Sequence, residues 1–352
     1  MLLTAATIGL LACLSGLATA TPGVQSFSTS AAGLSVRAVR VDLDAARVQL
    51  ALAWDHVGRT QRLGQIALRA HAVAAINGGF FDAYSSLPIK NPCHTLIAGG
   101  EVVHKGDVGT LLAFDEQGRP RMGRVACKIV GALDGSYDWP NNWYAYWINR
   151  YPEGASTITI FDRWFGERAP SGHGFYAVVK GGVVTWTGYT APQIPQTQGD
   201  YVVYFAGSEQ ALGIERFRVG RQCAYRVDMG GGPVDETGGH FGDGLGCGPR
   251  LLMNGRVNLS PVDEGFCSPK ILCDSCNRSA VGYSRDRKTL IMFTTGSGTI
   301  RGLAEAARAL GLYDAMNLDG GASSGLWCDG RYLVTPGREI SNALVVLKGK
   351  AD

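Results

Sequence analysis

Apolar and polar residues alternate in short segments along most of this chain, a pattern typical of β-strands with one buried face. Two such segments flank a polar turn at residues 44–47, and they predict a hairpin of two strands between Leu34 and Trp54. A second hairpin is predicted to turn at Gly181 and Gly182. Further strands are predicted at residues 95–97, 101–104, 111–115, 157–161, 175–180, 183–187, 201–205 and 226–229.

Two other segments have apolar residues at helical spacing, and each leads into a short apolar strand. Residues 60–70 predict a helix, followed by a strand at 72–76. Thr299 is predicted to cap a second helix that ends at Gly311, followed by a strand at 313–318. The chain therefore repeats one local unit, a helix and then a buried strand, at two distant places.

A polar loop with two adjacent glycines follows each of these units. The first runs Asn77-Gly78-Gly79-Phe80-Phe81-Asp82, and the second runs Asn317-Leu318-Asp319-Gly320-Gly321-Ala322-Ser323-Ser324. Glycine permits positive φ and lets a ligand approach the backbone closely. Both loops therefore predict contacts with a small polar ligand, and two plain turns are the alternative. If the loops form one pocket, Asn77 and Asp319 lie at neighbouring strand ends.

Length and composition indicate an ordered domain with many turns. The chain has 352 residues, 45% of them hydrophobic, which excludes broad disorder, and its 49 glycines favour short strands over long helices. We predict an α+β fold: mixed β-sheets with a few helices, in a single large domain with a β-rich middle portion. A net charge of +3 without a long basic run argues against nucleic acid as a partner.

Residues 1–20 contain no charged side chain and end in Ala18-Thr19-Ala20, which predicts a secretory signal peptide. The protein is then secreted or periplasmic, and lipid attachment at Cys13 is the alternative. No other stretch is long enough to span a bilayer stably. Eight cysteines remain after removal of the signal, and in an exported chain they predict disulfides. Cys273 and Cys276 have the CxxC spacing of a zinc site, the less favoured alternative.

The sequence does not determine the role of two further regions. The stretch 137–151 is rich in aromatic residues and amides, which suits either a packed loop or a sugar-binding surface, and packing is favoured. Residues 233–248 are rich in glycine and predict a mobile loop.

Five motifs in a fixed order then point to a known family. They are NGGFF at 77–81, GCGPRLLMNG at 246–255, NRSAVG at 277–282, NLDGGASS at 317–324 and REISNALVV at 338–346. In this order they resemble the phosphodiester glycosidase domain, over roughly residues 34–348. Ala322 and Ser279 depart from the family, which usually has Gly and Thr there. The resemblance implies an exported hydrolase that cleaves between an anomeric carbon and a phosphodiester oxygen, releasing a free sugar, with N-acetylglucosamine as one candidate, and a phosphomonoester.

That chemistry assigns roles to particular side chains. A phosphate leaving group needs charge stabilisation, which suits an arginine fork, so Arg278 is predicted to bind the phosphate. A developing oxocarbenium ion needs a carboxylate, for which Asp319 is the first candidate and Glu339 the second. The predicted substrate-binding residues are Asn77, Gly78, Gly79, Arg250, Gly320, Gly321, Ser323 and Ser324. Neither a metal nor a cofactor is required, and the expected partner is a sugar-1-phosphodiester or phosphoglycan substrate.

Two alternatives stay open at this point. The scaffold can serve a catalytically inactive carbohydrate-binding protein of the envelope or of exopolysaccharide, although Asp319, Arg278 and Asn77 together favour an enzyme. A phosphodiesterase that attacks phosphorus would need clustered metal ligands, whereas the six histidines are scattered. Product identity separates attack at carbon from attack at phosphorus.

Overall fold

The structure is a computed structural model that describes residues 21–106, 109–231 and 240–349. The predicted signal peptide at 1–20, the alternative lipid site at Cys13 and residues 233–239 of the loop predicted at 233–248 lie outside these residues. Residues 243–247 of that predicted loop form a strand instead.

The described residues form many strands and a few short helices. The strands of the first half are β1 Val24–Ala31, β2 Leu34–Asp42, β3 Ala46–Leu52, β4 Ala74–Asn77, β5 Leu96–Ala98, β6 Glu101–His104, β7 Thr110–Phe114, β8 Pro120–Arg124, β9 Ala126–Leu133, β10 Asn142–Ala145, β11 Trp147–Ile148 and β12 Thr157–Phe161. Those of the second half are β13 Gly174–Lys180, β14 Val183–Gly188, β15 Tyr201–Ala206, β16 Cys223–Gly230, β17 Asp243–Cys247, β18 Arg250–Met253, β19 Arg256–Val257, β20 Cys276–Tyr283, β21 Thr289–Gly298, β22 Asp314–Asn317, β23 Leu326–Cys328, β24 Arg331–Val334 and β25 Asn342–Lys348. The α-helices are α1 Leu63–Arg69, α2 Gln210–Arg216, α3 Pro269–Leu272 and α4 Ile300–Ala309.

Two antiparallel sheets face each other and form the main core. The seven-stranded sheet has the order β1-β2-β21-β20-β22-β18-β19, and the five-stranded sheet has the order β24-β23-β4-β25-β3. Val281 and Met316 from the first sheet share one buried cluster with Ile76 and Leu344 from the second. Burial of this apolar surface is the main stabilising term, at roughly 25 cal/mol per Å². A further sheet, β6-β5-β17-β7-β8, contributes to the same cluster.

Each of the two facing sheets has a helix on its outer side. Helix α4 packs Leu303 and Ala307 against the seven-stranded sheet, and α1 packs Leu63 and Ile66 against the five-stranded one. The strands β4 and β22 are fully buried along their length because both of their faces are covered. The two helix–strand units predicted from sequence therefore lie on opposite sides of one sandwich.

The middle of the chain forms a second core. Sheets β11-β12-β15-β13-β14 and β10-β9-β16 contribute to one cluster that includes Phe175, Phe205 and Phe217. Trp143 is buried in this cluster, which fits the packing interpretation of the aromatic stretch, whereas Trp139 is 75% exposed.

Most predicted elements are present, at shifted ends. The predicted strands at 101–104 and 157–161 are β6 and β12, and the Gly181-Gly182 hairpin joins β13 to β14. Thr299 caps α4, its Oγ1 accepting a hydrogen bond from the Gly302 N–H at 3.1 Å. Gly311 follows the helix with a φ of 77°, which favours glycine. Strands dominate over helices, so the fold is mainly β rather than evenly mixed.

The hairpin predicted between Leu34 and Trp54 is wrong in its pairing. Both strands exist, but β2 pairs with β1 and β21, whereas β3 pairs with β25 in the other sheet. The turn after Asp42 carries the chain from one sheet to the next, and the Leu43 N–H donates to the Lys288 carbonyl at 2.7 Å. Alternation fixes which side chains face the core but leaves the partner strand undetermined.

The predicted disulfides have no support in the structure, because no disulfide joins any two of the eight described cysteines. Five of them lie in regular strands, whose backbone ladders fix their positions: Cys127, Cys223, Cys247, Cys276 and Cys328. The described part of the chain also contains no group of three or more His, Cys, Asp or Glu residues placed to hold a metal ion. No helix within the described ranges is long and apolar enough to cross a membrane.

Candidate functional site

The ends of β4 and β22 meet where the two facing sheets come together. The side-chain amide of Asn77, the last residue of β4, donates to the Asp319 carbonyl at 2.7 Å. In return the Asp319 N–H donates to the Gly78 carbonyl at 3.1 Å. Asn77 and Asp319 are thus direct neighbours, as expected if the two glycine loops form one site.

The amide of Asn77 is wholly used inside the protein. Its Oδ1 accepts hydrogen bonds from the Ser279 hydroxyl at 2.7 Å and from the Gly325 N–H at 3.0 Å. The residue is fully buried. Asn77 therefore positions the Asp319 loop, and its amide is not left free for the sugar or phosphate contact predicted from sequence.

The backbone N–H groups of Gly78 and Gly79 also form hydrogen bonds inside the protein. Their N–H groups donate to the carbonyl and to the side-chain Oδ1 of Asn342, each at 2.9 Å. A Cβ on Gly78 would lie 1.9 Å from Asn342 Oδ1, and one on Gly79 would lie 2.7 Å from the Gly246 carbonyl oxygen. The glycines are required because β25 lies against Gly78 and β17 lies against Gly79. Their N–H groups already donate hydrogen bonds to Asn342, so they do not offer the ligand contact that was predicted from the sequence.

The carboxyl group of Asp319 occupies a confined position beside this junction. It accepts hydrogen bonds from the Gly320 N–H, at 2.9 Å, and from Ser323, and it lies within electrostatic range of Arg338. Burial raises its pKa to about 6, and these hydrogen bonds and Arg338 limit the rise. Asp319 is then mostly ionised at neutral pH and becomes protonated in mild acid.

A cationic and aromatic pair lies within electrostatic range of the same carboxyl group. Arg338 donates from Nη2 to the Tyr84 hydroxyl at 2.6 Å, and its guanidinium carbon lies 4.9 Å from the centre of the Tyr84 ring. The hydrogen bond from Arg338 lowers the pKa of Tyr84, while the charge of Asp319 opposes this effect. The Tyr84 side chain is 81% exposed. We call Asp319, Ser323, Arg338 and Tyr84 the Asp319 site.

The loop after Asp319 is tightly turned and partly buried. Gly321 has a φ of 60°, and a Cβ on Gly320 would lie 3.0 Å from the Asn277 carbonyl oxygen, so both positions suit glycine. Ser323 and Ser324 are almost fully buried. The Ser324 hydroxyl has no hydrogen-bond partner among the described residues, and a buried polar atom of this kind is costly unless it is used.

Arg278 does not face the Asp319 carboxyl group with its guanidinium. The group is buried and donates to the Gly298 carbonyl at 3.0 Å and to those of Lys270 and Asp274 at 2.7 Å each. It therefore fixes α3 and its following turn to the end of β21. This geometry favours a framework role over the predicted contact with phosphate.

Arg250 lies at the other end of β22 from Asp319. Its Nη2 forms a 2.5 Å salt bridge with Asp314, the first residue of that strand, and its Nε donates to the Leu252 carbonyl at 3.0 Å. The Arg250 side chain therefore does not lie beside Asp319, and the prediction that both residues bind the same substrate group is wrong.

Glu339 is exposed and accepts a hydrogen bond from the Thr60 hydroxyl at 3.0 Å. With Arg62, Tyr332 and the neighbouring Arg338 it lines a cavity of about 490 Å³. Among the described residues, Glu339 and Asp319 share no hydrogen bond, and Arg338, next to Glu339 in the chain, lies within electrostatic range of Asp319.

Four residues of this arrangement were not selected from the sequence as site residues: Tyr84, Ser279, Arg338 and Asn342. Three of them fall inside the motifs NRSAVG and REISNALVV, and Tyr84 follows NGGFF by three positions. Strand periodicity offered a further signal, because adjacent strand residues face opposite sides. A buried Ser279 facing Asn77 implies that Arg278 faces away.

Comparisons with known proteins place part of this arrangement in a family. A family model described as phosphodiester glycosidase matches residues 173–347. This range contains Asp319, Ser323 and Arg338, whereas Asn77 and Tyr84 precede it. No curated protein matches the chain.

Solved structures are similar at low sequence identity. A hypothetical protein from Synechocystis has a TM-score of 0.77 at 22% identity, over 92% of this chain and 62% of that one. The chain therefore spans less than two thirds of that protein. A "Putative exported protein" from Burkholderia pseudomallei has a TM-score of 0.70 at 19% identity, over 89% of this chain and 74% of that one. These two similarities show a shared fold.

A third solved structure bears the name of an enzyme. The catalytic domain of zebrafish N-acetylglucosamine-1-phosphodiester alpha-N-acetylglucosaminidase, auto-inhibited by its pro-peptide, has a TM-score of 0.48 at 13% identity, over 94% of this chain and 85% of that one. The family-model match alone confirms the resemblance inferred from the motifs. Residues 173–347 of this chain therefore match the phosphodiester glycosidase family.

Proposed function

We propose that this protein is an exported phosphodiester glycosidase. It hydrolyses the bond between the anomeric carbon of a sugar and a phosphodiester oxygen, and it releases a free sugar and a phosphomonoester. The observation on which this rests most is the Asp319 carboxyl group, held at the junction of two sheets, within electrostatic range of Arg338 and with its pKa raised to about 6.

Asp319 supplies the carboxylate that the reaction needs. Cleavage at the anomeric carbon develops positive charge on the sugar ring, and a nearby carboxylate stabilises it as a nucleophile or as the base for a water molecule. The hydrogen bonds from Asn77 and to Gly78 fix the backbone of Asp319, so the carboxylate is oriented before substrate arrives.

Arg338 replaces Arg278 as the proposed phosphate-binding group. The phosphomonoester that leaves is a weak base, so charge stabilisation matters more than protonation. Arg338 sits beside Asp319 with its guanidinium oriented by Tyr84, whereas Arg278 is engaged by three backbone carbonyls. The exposed ring of Tyr84 offers a face on which a sugar can stack.

Export is part of the same proposal. The charge-free segment 1–20 with its small-residue end supports it, as does the fold shared with a Burkholderia pseudomallei protein described as exported.

The test is a product assay on the purified protein without residues 1–20, using methyl N-acetylglucosamine-1-phosphate as the first of a panel of sugar-1-phosphodiesters. Wild type should release free sugar and methyl phosphate. Asp319→Asn should lose activity by roughly a hundredfold or more while keeping its fold. Glu339→Gln, at a carboxylate bound to Thr60, is the matched comparison and should stay within about tenfold of wild type.

Three results would contradict the proposal. Equal activity in Asp319→Asn would remove the role given to that carboxylate. Release of sugar phosphate and methanol would show attack at phosphorus, and failure to cleave any member of the panel would favour a protein that only binds its ligand.

A further inference from the structure

A cleft lined by arginines lies at the far end of β22 from Asp319. Its volume is about 540 Å³, and five arginines line it: Arg121, Arg124, Arg250, Arg285 and Arg287. Among the described residues that line it, Asp314 is the sole carboxylate. We call these five residues the arginine cleft.

Three separate parts of the fold supply these side chains. Strand β8 contributes Arg121 and Arg124, and β18 contributes Arg250 at its first position. The turn between β20 and β21 contributes Arg285 and Arg287. The cleft therefore forms where the edge of one sheet meets the end of another, not along a single solvated strand face.

Charge within the cleft is only partly balanced. Arg250 is paired with Asp314 at 2.5 Å, and Arg121 lies 3.6 Å from Asp115. Arg124, Arg285 and Arg287 form no ion pair with another residue in the described ranges. Unpaired cations in a concave surface focus a positive potential and raise the local concentration of anions.

The walls of the cleft orient at least one of these cations. The Arg285 guanidinium lies 5.2 Å from the centre of the Tyr313 ring, and the neighbouring Tyr283 is buried. A guanidinium stacked on an aromatic ring keeps its outer edge of N–H donors available for the two-point contact that phosphate and sulfate oxygens accept.

We propose that the arginine cleft is a second binding site of this protein, separate from the Asp319 site, for the phosphate or sulfate groups of an acidic glycan chain. Binding of oxyanions follows from the cleft alone, whereas the choice of a glycan rests on the proposed function. A site of this kind holds a polymeric substrate to the enzyme away from the bond that is cleaved.

The experiment measures binding, not turnover. Dextran phosphate, dextran sulfate and unmodified dextran are titrated into the wild-type protein by calorimetry at low and at physiological salt. The test variant is Arg124→Ala/Arg285→Ala, which removes two cations from the cleft at exposed positions. The matched control is Arg218→Ala/Arg301→Ala, which removes the same charge at two exposed positions outside the cleft.

The proposal expects wild type to bind at least one charged dextran and not the neutral one. The affinity of the cleft variant for that charged dextran should be lower by roughly tenfold or more. The control variant should bind it as tightly as wild type does. Binding should be weaker at physiological salt than at low salt. The charged dextran that wild type binds more tightly shows whether the cleft prefers phosphate or sulfate.

Equal loss in the control variant, equal binding of neutral dextran, or no binding to wild type would overturn the proposal. Tighter binding of single-stranded DNA, lost in the cleft variant, would overturn the assignment to a glycan. Cleavage of methyl N-acetylglucosamine-1-phosphate should be unchanged in the cleft variant, so the two proposals can fail separately.

Discussion

The side-chain amide of Asn77 donates to the main-chain carbonyl of Asp319 at 2.7 Å, which joins the ends of two strands from facing sheets. The same amide accepts from Ser279 and Gly325. Asn77 therefore fixes the loop from which the Asp319 carboxyl group extends, and we propose that it acts as a positioning residue.

Replacing Asn77 should damage both stability and activity. Asn77→Ala leaves the Ser279 hydroxyl, the Gly325 N–H and the Asp319 carbonyl without a partner in a buried place, which costs about 2–4 kcal/mol of unfolding free energy. Urea unfolding measures the loss. Asn258→Ala, at an exposed asparagine, should change it by less than about 0.5 kcal/mol. An Asn77→Ala protein as stable as wild type would show that the junction relaxes around the missing amide.

Gly78 should tolerate no side chain. In Gly78→Ala the added Cβ meets Asn342 Oδ1 at 1.9 Å, so β25 must move away from the Asp319 loop. We expect a loss of more than about 3 kcal/mol in unfolding free energy. Gly296→Ala is the control, because a Cβ there meets nothing within 4 Å. Similar thermal midpoints for the two variants would contradict the packing described here.

Replacing Arg338 should mainly lower activity, whereas replacing Arg278 should mainly lower stability. Arg338→Ala should keep the unfolding free energy within about 1 kcal/mol and lower kcat/KM by roughly a hundredfold or more, because a charge beside the leaving phosphate is lost. Arg278→Ala should lower the unfolding free energy by about 3–5 kcal/mol, because a large buried side chain and its hydrogen bonds to three backbone carbonyls are lost. Parallel unfolding and kinetic measurements separate the two. A stable but inactive Arg278→Ala would restore the sequence-based assignment of phosphate binding to Arg278.

Activity should depend on pH through Asp319. Its pKa of about 6 means that the ionised fraction falls as the pH drops below that value, so kcat/KM should decline on the acid side and level off above it. Arg338 lowers this pKa, so its removal should move the acid limb to higher pH. The profile of Arg338→Gln, compared with wild type, checks the direction. A limb that stays in place, or moves to lower pH, would mean that another group titrates.

Local features of the fold were predictable because they depend on local sequence. Thr299 and Gly311 mark the ends of α4, and the Gly181-Gly182 pair marks a hairpin, since capping and positive φ are properties of a few neighbouring residues. The partners of β2 and β3 were not predictable in this way. β2 pairs with β21 and β3 with β25, both of which are more than two hundred residues away in the chain.

In the candidate site, too, features set by local sequence could be predicted, whereas features set by tertiary packing could not. The proximity of Asn77 and Asp319 followed from two similar helix–strand–loop units. The role of Arg278 did not, because the carbonyls that surround it come from α3 and from the end of β21, whose approach depends on tertiary packing. Arg250 was misplaced for the same reason, since only the fold shows which end of β22 its side chain reaches.

The most direct test of the central claim is the fate of solvent oxygen. Wild-type protein cleaves a sugar-1-phosphodiester in water enriched in heavy oxygen, and mass spectrometry locates the label in the products. Attack at the anomeric carbon, assisted by Asp319, places the label in the free sugar and leaves the phosphomonoester unlabelled. Label in the phosphate, or label in the sugar at the same rate in Asp319→Asn, would contradict the account.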